Sequence, residues 1–142
     1  MLARSLFAEG KSEQALKAIE QALTVSEKAE PNIRLSVVVN VARIRAASLQ
    51  NGSLTPVLGG LIGTLTEARK LRYFGIELEA RLALGEIEVK SGVRARGRAQ
   101  LQTVERDASK KGFVLLARKA ASHLRETAEQ AIMDQSGGFP FQ

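Results

Sequence analysis

A repeat with a period close to 40 residues constrains this chain more than any other feature. The dipeptide Ala-Arg recurs at Ala3-Arg4, Ala42-Arg43, Ala80-Arg81 and Ala117-Arg118, with spacings of 39, 38 and 37. Turn glycines recur at Gly10, Gly52 and Gly92, spaced 42 and 40. A period of this length belongs to stacked helical hairpins. One hairpin cannot hide its own apolar face, so the next must cover it. The hairpin is most legible at Gly75–Ala108, two helices around a turn at Ser91-Gly92.

Taken in order, residues 2–9 predict a short helix ended by Gly10. A second helix starts near Ser12, an N-cap type, with Ala15, Leu16, Ile19, Ala22 and Leu23 on one stripe. Pro31 stops it or opens the next. Residues Ser36–Val41 are rich in β-branched side chains and suit a strand on propensity alone. Yet Ile33, Val37, Val41, Ile44 and Ser48 form one helical stripe, and Leu35, Val39, Ala42, Ala46 and Leu49 a second. Two stripes mean a helix buried on two sides. Asn51-Gly52-Ser53 is a turn, Thr55 an expected cap, and Pro56 a first-turn residue. The helix after it should bury Leu58, Leu61, Ile62, Leu65 and Ala68, leaving Gly59, Gly60 and Gly63 largely off that face. Those three either mark a weak spot that an outer helix tolerates or let another helix or a partner approach closely.

Ile76, Leu78, Ala80, Leu82 and Leu84 alternate with charged residues like a strand, but the phase breaks at Gly85-Glu86. Helical spacing gives two stripes instead: Ile76, Ala80, Ala83 and Ile87, then Leu78, Leu82, Gly85 and Val89. The following helix should turn Gly97, Leu101, Val104 and Ala108 inward and end at Lys110-Lys111 before Gly112. A last helix over 113–133 should bury Val114, Ala117, Ala121, Leu124, Ala128 and Ala131, leaving 134–142 as a disordered tail. The fold class is therefore all-α, a right-handed α-α superhelix of about seven antiparallel helices. Its units fall at about 1–31, 32–72 and 73–111, followed by a capping helix.

Composition narrows the chemistry. There is no cysteine, so disulfides, thiolate metal sites and cysteine nucleophiles are out of reach. The one histidine, His123, has no cysteine to join it and reads as an edge residue. Glu86 and Glu88 point to different helix faces and form no acid/base pair. The sequence carries no phosphate loop, nucleophile elbow or zinc signature, so neither catalysis, cofactor nor metal is expected. No long apolar run or secretory leader is legible, and a cytoplasmic protein without membrane contact is the expectation. The net charge is +6, with nine basic and five acidic residues in 92–142. Such an excess can draw an acidic surface or nucleic acid, or simply solvate a helix face.

At Leu84-Gly85…Gly92, and at Leu2-Ala3…Gly10…Ala15…Ile19…Ala22, the chain resembles the tetratricopeptide repeat (TPR) family. The likeness covers nearly all of 1–133 and fits the longer-period variants, in the style of C-terminal regions of bacterial multidomain signalling proteins. Glu88 stands where an aromatic is usual and Gly97 where alanine is usual. Leu49-Gln50-Asn51 lengthens one turn. The resemblance implies a non-enzymatic scaffold whose first helices line a concave groove for a peptide or partner helix. That groove would comprise Arg4 and Phe7, then Val39, Arg43, Ala46 and Gln50, then Glu79, Glu86 and Lys90. The family's carboxylate clamp is not reproduced. The short first helix reads as an array cut mid-unit, whose apolar end would drive homodimerisation. The alternatives are a structural spacer or a nucleic-acid-binding module using Arg94, Arg96, Arg98, Lys110 and Lys111. Scarce aromatics for base stacking count against nucleic acid.

Overall fold

The computed structural model describes residues 12–48 and 54–137, and their regular structure is entirely helical. Six helices follow one another: α1 (Ser12–Ser26), α2 (Pro31–Ser48), α3 (Thr55–Leu71), α4 (Phe74–Lys90), α5 (Arg94–Lys111) and α6 (Val114–Gly137). Both strand-like stretches are helical, Ser36–Ile44 within α2 and Ile76–Leu84 within α4. Their alternation arises because each of these helices buries two sides. The helix expected at 2–9, with Arg4 and Phe7, lies outside the described residues, as do Leu49, Gln50 and Asn51. No described helix is long and apolar enough to cross a membrane.

The chain divides into two compact units, residues 1–83 and 84–142, with the boundary inside α4. In the first unit α1 packs on α2 and α2 packs on α3. Ile19, Val41 and Ile44 form a buried cluster, with Ala18, Leu23 and Val37 against it. Leu35, Val39 and Ala42 are buried as the second stripe of α2. Each such aliphatic contributes about 1.5–3 kcal/mol on leaving water. Leu16 and Ile33, expected in these stripes, are instead about half exposed.

The buried face of α3 is turned from the expected one: it comprises Val57, Leu61, Thr64 and Ala68, while Ile62 is 54% exposed. Thr64 can be buried because its hydroxyl donates to the Gly60 carbonyl at 3.0 Å. The N-cap of α3 is Leu54, without a side-chain cap bond, so Thr55 is not the cap. Around Gly59, Gly60 and Gly63 an added Cβ would meet no atom within 4 Å, so they serve no close helix approach among the described residues.

In the second unit α5 packs on α6. Gly97, Leu101, Val104 and Ala108 face inward as their spacing requires. The last helix differs from expectation. It buries Leu116, Ala120 and Thr127, while Val114 and Ala128 are exposed. It also continues to Gly137, so 134–137 belong to the helix rather than to a tail. Apolar residues lie on several sides of α6, so periodicity alone does not choose which side packs. Thr127 enters the core because its hydroxyl is satisfied by the His123 carbonyl at 2.6 Å.

Three helices close identically. At Arg72, Gly92 and Gly112 the backbone turns left-handed, with φ of 61°, 97° and 84°. In each, the next residue's N–H reaches back five residues: Tyr73 to Ala68, Val93 to Glu88 and Phe113 to Ala108, at 2.8–2.9 Å. These bonds satisfy carbonyls that a helix end otherwise strands. The closures are 20 residues apart, half the period of the sequence repeat.

Candidate functional site

The charged side chains of the second unit are held by α4, α5 and α6. Glu86 and Lys90 lie one turn apart on α4. His123 of α6 reaches Glu86 Oε1 through Nε2 at 3.0 Å and Glu126 Oε2 through Nδ1 at 3.6 Å. The Glu86 hydrogen bond raises the His123 pKa above its ordinary 6.5, with Glu126 adding to the effect while burial and Lys90 oppose it. This contact links α4 to α6. Among the described residues no group of three His, Asp or Glu side chains could bind a metal.

Glu88, in the position where an aromatic is usual, is 5% exposed. Its Oε2 accepts from Arg96 Nε at 2.5 Å, and its Oε1 has no hydrogen-bond partner among the described residues. A buried carboxylate needs such a cation, because desolvation of an unpaired charge costs several kcal/mol. Arg96 in turn sits in the first turn of α5, where the helix dipole disfavours cations, and Glu88 offsets this. The unusual Gly97 has a steric reason. A Cβ there would lie 2.6 Å from the Val89 side chain, 2.7 Å from its backbone nitrogen and 2.8 Å from the Gly85 carbonyl.

The expected groove residues divide. Val39 is packed in the core at 1% exposure, which takes it out of any contact surface. Arg43, Ala46 and Glu79 are half-buried and Lys90 is exposed. Glu86 is engaged by His123. Arg4, Phe7 and Gln50 lie outside the described residues.

The five basic residues do not form one patch. Arg94, Arg96 and Arg98 start α5 and Lys110 and Lys111 end it, about 24 Å away along the axis. Arg96 is tied to Glu88, and Arg98 Nη1 donates to the Leu124 carbonyl of α6 at 3.0 Å. The lysines lie at the helix C-terminus, where the dipole favours them.

Two charged features escaped the reading of the sequence. Arg81 is buried and its Nη1 lies 3.6 Å from Glu77 Oε2, which Arg69 also approaches at 3.5 Å. The Glu77-to-Arg81 spacing of four was the available signal. Arg34 and Glu67 join α2 to α3 through two bonds, at 2.7 and 3.3 Å. This pairing raises the Arg34 pKa and lowers that of Glu67. No protein-family model, curated protein or solved structure matches the chain.

Proposed function

We propose that the chain is a TPR-like helical-repeat scaffold that binds a protein or peptide partner and catalyses nothing. The observation that carries this reading is the recurrence of one helix closure every 20 residues, at Arg72, Gly92 and Gly112. Repeated closures joining helices of 17 and 18 residues are the local geometry from which a solenoid is built. The period near 40 in the sequence supports the same reading. Arg43, Ala46 and Glu79 in the first unit and Lys90 in the second are the groove candidates that keep accessible surface, and the charged ones among them suit a polar partner.

A pull-down from lysate at physiological salt, with and without nuclease, tests this. A protein partner should survive nuclease treatment and be lost from the pair of variants Glu79→Lys and Lys90→Glu. Recovery of nucleic acid that nuclease and added salt remove would favour the basic-module reading instead.

A further inference from the structure

Where α5 ends and α6 begins, the consecutive residues 109–115 all stand exposed. Three neighbours among them are apolar: Phe113 is 37% exposed, Val114 53% and Leu115 71%. The backbone fixes them there. Gly112 turns left-handed and the Phe113 N–H donates to the Ala108 carbonyl at 2.8 Å, which sets the start of α6. Leu116 and Ala120 are buried on the inward side, so the 3.6-residue repeat points Val114 and Leu115 outward. One turn later, at spacings of three and four, the same side presents Arg118 and Lys119, both exposed.

The charge around this tip has one sign. Residues 108–125 hold five Lys and Arg side chains and no Asp or Glu. Of the flanking acids, Asp107 is half-buried and lies 3.8 Å from Arg106, while Glu126 lies 3.6 Å from His123. The helix dipole accounts for lysines at the end of α5. It does not account for three adjacent apolar residues left in water between cations. That combination matches a lipid interface, where apolar side chains enter the acyl boundary and cations meet anionic headgroups. A nucleic acid would engage the cations alone, because Val114 and Leu115 have no ring to stack on a base. We propose that the α5–α6 turn docks the protein on an anionic lipid surface, with Phe113, Val114 and Leu115 entering the interface and Lys110, Arg118 and Lys119 on the headgroups. Such peripheral contact needs no spanning segment, so the lack of a long apolar run, from which the sequence suggested no membrane contact, does not bear on it. The docking is independent of the scaffold reading.

Co-sedimentation of the whole chain with lipid vesicles tests this. Phosphatidylcholine vesicles containing about 30% phosphatidylserine should bind it at least tenfold more tightly than phosphatidylcholine alone. Val114→Gln with Leu115→Gln removes the apolar tip without changing charge, and should weaken binding by about tenfold or more with helical circular dichroism unchanged. Lys110→Glu with Lys119→Glu should weaken it by about tenfold or more through charge alone. The chain has no tryptophan, so one introduced indole reports a single place. The emission of Leu115→Trp should shift to the blue on the anionic vesicles. Gln102→Trp, exposed about 14 Å back along α5 from its last residue, should not shift. Equal binding to both kinds of vesicle, no vesicle binding, or an unshifted indole at position 115 on vesicles that do bind would each overturn the proposal. A DNA duplex that binds more tightly than the anionic vesicles, and equally well to the Val114→Gln, Leu115→Gln variant, would overturn it in favour of the basic-module reading.

Discussion

The α2–α3 pair of the first unit and the Gly85–Gly97 stretch of the second, where the end of α4 meets the start of α5, use the same residue types for opposite purposes. In the first, Gly59, Gly60 and Gly63 look into open space and the charged link, Arg34 with Glu67, sits at the surface. In the second, Gly85 and Gly97 stand where backbones nearly touch, and the carboxylate of Glu88 is buried beneath Arg96. Glycine and charge therefore mean little until the distance to the neighbouring helix is known. Where helices are apart, glycine is only a loss of helix propensity. Where they cross closely, it is the only residue that fits.

Substitution of these glycines should separate the two regions, the largest effect first. Gly97→Ala should destabilise the protein by about 2–3 kcal/mol in chemical denaturation, since the obstructing atoms include backbone that cannot rotate away. A neutral Gly97→Ala would mean that α4 and α5 are not as close as described. Gly60→Ala should act in reverse, stabilising by up to about 1 kcal/mol through restored helix propensity. Destabilisation there would reveal something packed against that face.

The smallest effect concerns the ion pairs. His123 has a raised pKa in the folded chain, so its contribution is full below its ordinary value of 6.5 and fades as pH climbs through the raised folded value. The melting temperature should fall over that window, and His123→Gln should flatten the trend. Glu67 behaves oppositely. Its lowered pKa gives a contribution present above the ordinary carboxylate range and lost on acidification. Melting curves across pH would thus assign each end of the profile to a different unit.

Much of the helix pattern was legible in the sequence. The inward set of α5 was readable because Gly97, Leu101, Val104 and Ala108 are the only small or apolar residues on one stripe of a very polar helix. In α3 and α6 apolar residues occur on more than one side, and the expected faces were turned. Thr64 and Thr127 were unreadable as core residues, because their burial depends on hydroxyls bonding back to their own helices. Among the site residues, the joining of Glu86 to His123 spans 37 positions and leaves no local trace.

Sequence alone determined that the described chain is helical and where most of its helices end. Those outcomes rest on local terms: apolar periodicity, helix propensity, and left-handed closures that glycine favours. Tertiary structure decided which side of each helix is covered, which glycines are indispensable and which charges are buried. Those depend on the separation between helices, a quantity no single segment encodes. Arg72 shows the boundary between the two, because it takes a left-handed closure that its own side chain does not favour.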